Sequence, residues 1–178
     1  GGLQAVLERA AGLGLGATVC LASGVYSLAH PLRLDIAHAG LTLEACGVGA
    51  VLQADPNADP GAFGDGLIVL GRASLVTLRG LDLAPVQAPL PSAAAAGLLA
   101  LLSGFTSAEV AKTVVSAMRS MIGIRIVGSG SVTVEDCLIA LRRLDEQTND
   151  DVFGAGVFLQ GNCAGFTLRR CSLSSSLA

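Results

Sequence analysis

Apolar residues recur along this chain in a fixed pattern. Residues 41–48 read LTLEACGV, 76–83 VTLRGLDL, 132–139 VTVEDCLI and 166–173 FTLRRCSL. With the first residue of each as position zero, positions 0, 2, 5 and 7 hold Leu41, Leu43, Cys46 and Val48, then Val76, Leu78, Leu81 and Leu83. In the next two copies they hold Val132, Val134, Cys137 and Ile139, then Phe166, Leu168, Cys171 and Leu173. Positions 0 and 2 keep the two-residue period of a strand, and so do 5 and 7, but the slip of phase between them demands a corner. A helix would gather positions 0, 3, 4 and 7 on one stripe and throw 2 and 5 away from it. Two short strands joined by a bend fit, and repetition on this scale marks a stacked architecture.

The polar positions agree. Position 1 is Thr in every copy (Thr42, Thr77, Thr133, Thr167), a β-branched residue suited to an outward place on a pleated surface. Position 3 alternates in sign through Glu44, Arg79, Glu135 and Arg169, and copies stacked as parallel strands about 4.8 Å apart would set these charges against one another. Burial of four apolar columns outweighs such exposed pairs, so packing decides the fold and charge assists the register. A further strand is expected ahead of each copy, at 32–36, 67–70, 122–127 and 157–160, with Gly71, Gly128, Ser129, Gly130, Gly161 and Asn162 in the turns. One coil then holds three strands. The Thr positions recur after 35, 56 and 34 residues, so the surplus leaves the stack as loops, where function is expected.

These copies, with residues 19–31 (VCLASGVYSLAHP) ahead of PLRLDI, resemble the right-handed parallel β-helix superfamily that includes pectate-lyase-like proteins and phage tailspikes. The resemblance spans most of residues 17–178. It implies an all-β fold, a right-handed parallel β-helix solenoid in a single domain over 1–178, whose opening segment caps the coils. It says little of chemistry.

The ends and the longest insertion depart from the repeat. Leu3, Val6, Leu7 and Ala10 share a helical face before Gly12 and Gly14 break it, so 1–16 is expected to hold an N-terminal capping helix that blocks edge pairing. At the other end, 174–178 (SSSLA) follows a strand without a cap of its own, from which a longer solenoid is expected. Residues 85–121 are expected as an inserted loop and helix. Pro85, Pro89 and Pro91 lead an extended departure, the Ala-Leu-rich stretch 93–102 is left unassigned, and T-S-A-E at 106–109 has capping-box spacing for a helix over 107–121. Val110, Val114, Met118 and Met121 would form its apolar side, facing the solenoid flank, a partner or second copy, or a ligand cleft.

Composition narrows the partners. Charged residues make up 14% of the 178, where about 25% is common, alongside 23 glycines and 3% aromatics. The formal charge is -3 and the basic residues form no block, which makes nucleic acid a poor partner. The longest apolar run, 93–102, is about half of what a membrane-spanning helix needs. The chain opens without Met or a basic-then-apolar leader, from which a processed or excised portion of a longer chain is expected, and localisation stays open. Five Cys without C-x-x-C and two His imply neither a disulfide framework nor a zinc site. Cys46, Cys137 and Cys171 read as small apolar residues of one inward column, with Cys20 and Cys163 outside it. Cys137 and Cys171, on adjacent copies, are the pair to test for a disulfide.

Candidate chemistry sits in two acidic loops. Asp55, Asn57 and Asp59 open like the D-x-N-x-D of a calcium loop, with Asp65 beyond. Pro60 stands where such a loop needs Gly, and Gly66 where it needs its last Glu, so a solvated turn is the leading reading and calcium the alternative; no other cofactor is implied. Residues 145–151 read DEQTNDD. Two carboxylates near a sugar act as acid and base, or hold a cation that acidifies a uronate, and Asp150 and Asp151 are the catalytic candidates. That pair resembles the adjacent aspartates of β-helix polygalacturonases, whose G-H-G and Arg-x-Lys motifs have no counterpart here. Arg142, Arg143, Arg169 and Arg170, with Asp145, could present a surface for an anionic sugar, since guanidinium groups bind carboxylates bidentately. Pairing between coils with Glu135 or Asp136 explains the arginines equally. His30 and His38 read as structural. The leading function is a noncatalytic β-helix segment for scaffolding or carbohydrate recognition, with a polysaccharide as partner and oligomerisation open. The alternative is a polysaccharide lyase or glycoside hydrolase fragment using the acidic loop.

Overall fold

The computed structural model describes residues 2–90, 92–141 and 152–175. After helix α1 (Leu3–Ala11) the chain winds in coils of three strands. The first coil is β1 (Thr18–Leu21), β2 (Gly24–Leu28) and β3 (Leu32–Leu34), and the second β4 (Thr42–Ala45), β5 (Ala50–Ala54) and β6 (Ile68–Gly71). The third opens with β7 (Thr77–Arg79) and β8 (Leu81–Ala84). An insertion of β9 (Ala88–Pro89), α2 (Ser92–Leu102) and α3 (Ala108–Ala117) then precedes its last strand, β10 (Arg119–Val127). The fourth is β11 (Thr133–Glu135), β12 (Leu138–Leu141) and β13 (Val152–Gln160), and β14 (Thr167–Arg169) with β15 (Ser172–Ser175) begin a fifth.

Like strands stack into three sheets. Sheet I is β1-β4-β7-β11-β14, sheet II β2-β5-β8-β12-β15 and sheet III β3-β6-β10-β13, with β9 added antiparallel to β10. All other pairings among the described residues are parallel, the arrangement of a right-handed parallel β-helix. Among the described residues, three α-helices and two 3-10 turns, at Ile36–His38 and Pro60–Phe63, make the fold not purely all-β.

The expected columns form. Thr42, Thr77, Thr133 and Thr167 are in register on sheet I, and Leu43, Leu78 and Val134 beside them are fully buried. β1 supplies a fifth copy beyond the four that the sequence pattern marks: Thr18 pairs with Thr42, and Val19 lies over Leu43. The sequence spacing of that copy is 24 residues, a coil without insertions. Each rung enters sheet I through one left-handed residue: Gly16, Gly40 and Gly165, but also Leu75 at φ 57° and Ser131 at φ 53°. Glycine takes this conformation without the Cβ clash that Leu75 and Ser131 must absorb.

Two positions of the repeat are corrected. In the second coil the inward residues of sheet II are Ala50 and Leu52, which pair with Leu81 and Leu83, while Cys46 and Val48 lie exposed in a longer corner. The eight-residue frame missed this because the extra corner residues preserve an apolar appearance at positions 5 and 7. Cys46 therefore leaves the inward column and bonds Cys20, which faces outward beside it, in a disulfide with Cα atoms 5.5 Å apart. Cys137 and Cys171 remain thiols, and burial pushes the Cys137 thiol up to about 11. In the last rung Leu168 and Leu173 keep inward register yet are 43% and 52% exposed, because no described strand stacks above them.

The cap at the first coil forms as expected. Leu7 and Ala10 are buried, and Leu3 packs on the core. Gln4 completes the open edge of sheet III: its side chain donates to the Arg33 carbonyl (3.0 Å) and accepts the Arg33 N–H (2.9 Å), replacing a neighbouring strand. Asp35 caps the first 3-10 turn, accepting from Ala37 N at 3.0 Å. Buried His38 lies 2.9 Å from it and holds its carboxyl below the ordinary range.

The insertion differs in detail. Its helix α3 is N-capped by Ser107 rather than Thr106 and ends at Ala117, because Arg119 to Met121 join β10 as strand. Val110 and Val114 are exposed instead of packed on the solenoid; Ala111 is the buried residue, and α3 packs against α2. No helix among the described residues is long and apolar enough to cross a membrane.

Candidate functional site

The repeat that buries one face of sheet III sets a register on the other. In LRL of β3 and IRI of β10 the apolar residues point inward, so the central Arg must point out. Strand pairing aligns these outward positions as Arg33, Val69, Arg125 and Phe158 across four rungs. Two loops wall this face. One joins β5 to β6 and is held by Phe63, 2% exposed in the core, and by Asp59, which accepts Gly61 N at 2.9 Å as cap of the second 3-10 turn. The other is the base of the insertion at Pro89 and Leu90. Buried Ser120 ties both to β10, its hydroxyl reaching the carbonyls of Gly64 (3.3 Å), Pro89 (3.4 Å) and Ala88 (3.5 Å).

Between the walls lies a groove of about 650 Å³ that continues past Leu90 and Arg125 into a smaller recess of about 220 Å³. Its polar floor is a linked set. Arg125 pairs with Asp65 and donates to Gln160 Oε1 at 2.6 Å. Its Nε is buried without a partner among the described residues. Arg33 reaches Asp65 only at 3.8 Å, and its side chain is 60% exposed. Phe153 and Phe158 meet edge to face, centroids 6.0 Å apart, at the recess. The floor therefore offers a rigid guanidinium, a second one with spare donors, one carboxylate already engaged by both, an amide and two aromatic rings. This is equipment for holding polar groups against an apolar shelf. Asp65 is the one carboxylate lining the described groove, so no acid and base pair is brought together there.

Of the residues named from sequence in the two acidic loops, Asp65 lines this groove. Arg142, Arg143, Asp145, Asp150 and Asp151 lie outside the described residues; their segment joins β12 to β13. Asp55 accepts from the backbone and side-chain nitrogens of Asn57 (2.8 and 3.2 Å), and Asp59 caps its turn, so both carboxylates serve their own loop. No group of three His, Cys, Asp or Glu among the described residues is placed to hold a metal ion. Arg170 sits at the corner between sheets I and II with φ 52° and grips Asp136 twice, at 2.6 and 2.7 Å, and Glu135 at 3.4 Å. This is the pairing between coils that the sequence allowed. The alternating column on sheet I also forms: Arg79 bonds Glu44 at 3.1 Å and Glu135, and Arg169 bonds Glu135 from the next rung. Arg169 first and Arg79 second hold the Glu135 carboxyl below the ordinary range.

Sequence reasoning passed over Arg33, Arg125, Gln160, Phe153 and Phe158. The signal was present in the central residues of the sheet III strands, which align as readily as the Thr positions once those strands are stacked. Comparison with protein-family models, with curated proteins and with solved structures gave no match for this chain.

Proposed function

We propose that this β-helix is a noncatalytic module that recognises carbohydrate along the outer face of sheet III. One observation carries the reading: the Arg33–Asp65–Arg125–Gln160 set lies on a walled parallel face, preorganised by its own hydrogen bonds and flanked by Phe158 and Phe153. Sugar hydroxyls are paired donors and acceptors on an apolar ring. A site of fixed guanidinium, carboxylate and amide groups beside aromatic edges meets both demands. A stiff solenoid repeats its surface along one axis and so suits a linear polymer.

Calorimetric titration with neutral and uronate oligosaccharides tests this. Arg33→Ala should weaken binding at least tenfold without lowering the thermal midpoint, since its side chain is largely exposed and makes only a distant contact. Loss of affinity no greater than that of Arg79→Ala, on the outer face of sheet I, would refute it.

The second reading is a polysaccharide lyase or glycoside hydrolase using Asp150 and Asp151. One observation favours it: their segment leads into β13, whose Phe153 lines the recess. Under the noncatalytic reading, bound glycan is recovered uncleaved. Cleavage lost in Asp150→Asn and Asp151→Asn would decide for the enzyme.

A further inference from the structure

The insertion carries an apolar surface that the solenoid leaves uncovered. From residue 83 to residue 108 the sequence has no charged side chain. After its opening Ser, α2 consists of Ala, Gly and Leu, and a helix apolar all round belongs inside something. Yet none of its described side chains is buried. Leu101 is 61% exposed, Phe105 in the following turn 84%, and Val110 and Val114, one turn apart on α3, 51% and 43%.

The hairpin has also turned its polar groups onto itself. Ser103 N and Oγ bond the carbonyls of Leu99 (3.0 Å) and Ala100 (2.8 Å), and Gly104 N bonds that of Leu101 (3.2 Å). Phe105 N and Thr106 N share that of Leu102, at 2.9 and 3.0 Å. The last four carbonyls of α2 are thus all satisfied without water. On α3 the Thr113 and Ser116 hydroxyls bond back to the carbonyls of Glu109 and Thr113, each at 2.9 Å. Dry burial of this tip leaves those groups paired.

We infer that the α2–α3 hairpin is a self-association surface that receives the same hairpin of a second copy in a four-helix contact. Charge selects the occupant. Lipid surfaces retain apolar hairpins through free basic anchors, whereas here Lys112 lies 4.0 Å from Glu109 on its own helix and Arg119 is turned onto the carbonyls of Ser116, Ala117 and Met118. A charged partner finds nothing to pair with on a charge-free stretch. A second copy brings an equally uncharged α2 through a two-fold axis and needs no complementary charge there. Size sets the strength. A helix of 11 residues is about 16 Å long, and two such helices side by side project roughly 300 Å², less than the ~800 Å² per partner of a standard interface. The dimer is therefore weak and concentration-dependent.

Sedimentation equilibrium of the full chain, from micromolar to near-millimolar concentration, tests this. The average mass should climb toward two chains. Leu101→Glu and Val114→Glu should each hold it at one chain, with unchanged circular dichroism and thermal midpoint. A parent that stays at one chain throughout, or a dimer indifferent to both substitutions, overturns the inference. So does a parent that is monomeric in solution but sediments with phosphatidylcholine vesicles, an outcome that assigns the hairpin to lipid.

Discussion

Gly123 in β10 and Gly156 in β13 face each other across neighbouring rungs of sheet III, and replacing each by alanine separates packing from propensity. Neither has positive φ, and at such sites Gly→Ala ordinarily stabilises by about 0.4–1 kcal/mol through the unfolded chain. A Cβ on Gly123 would stand 2.6 Å from the Gly156 carbonyl oxygen and 2.7 Å from Ile139 Cγ2, where ordinary contact begins at 3.4 Å. Neither neighbour can yield: the oxygen belongs to the backbone of the next rung, and Ile139 is fully buried. Parting the rungs or turning Ile139 costs about 1–3 kcal/mol, more than the gain, so Gly123→Ala should destabilise by about 1–2 kcal/mol. A Cβ on Gly156 instead meets Leu173 Cδ2 at 2.3 Å, the end of a half-exposed side chain that can swing aside, and Gly156→Ala should stay within about 0.5 kcal/mol of the parent. Urea denaturation at unchanged m reads both values. A neutral or stabilised Gly123→Ala, or equal losses at the two sites, would refute the packing of side chains between rungs.

Three more outcomes follow from single contacts. Cys20→Ser opens a disulfide with a sequence separation of 26 and should cost about 3.5 kcal/mol by loop entropy, read as a denaturation midpoint that reductant no longer lowers. Glu135, whose folded pKa lies below its unfolded value of 4.5, adds stability that is present above 4.5 and lost as pH falls through the lower folded value. The parent should lose more stability than Glu135→Gln across that acid window; parallel pH curves would contradict the carboxylate's role. Leu75→Gly should stabilise by about 0.5–1 kcal/mol, since relief of a left-handed leucine exceeds the entropy cost of glycine and the side chain is mostly exposed; a lowered thermal midpoint would count against it.

The sheet I strands were legible because their inward residues, outward Thr and alternating charges sit at fixed spacing, and a parallel stack turns that spacing into columns. Thr18 escaped because its coil has its own corner and lacks the charged residue at position 3, where Cys20 stands. Cys46 and Val48 misled because a corner of altered length moves side chains from core to surface without changing their chemistry. The disulfide was illegible for the same reason: it depends on where that corner turns. The groove was half legible. The outward Arg of LRL and IRI follows from strand period alone, but the wall at Asp65 and the pairing with Gln160 depend on loops whose course no local pattern fixes. α2 went unassigned because an Ala-Leu run without polar alternation specifies no face.

The most direct measurement of the functional proposal is an amide chemical-shift map of the protein titrated with a glycan selected by calorimetry. Saturable shifts should concentrate at Arg33, Asp65, Arg125, Phe158 and Gln160 and leave Glu135, Asp136 and Arg170 unmoved. Shifts confined to the corner around Asp136 and Arg170, or none for any glycan, would contradict carbohydrate recognition on sheet III.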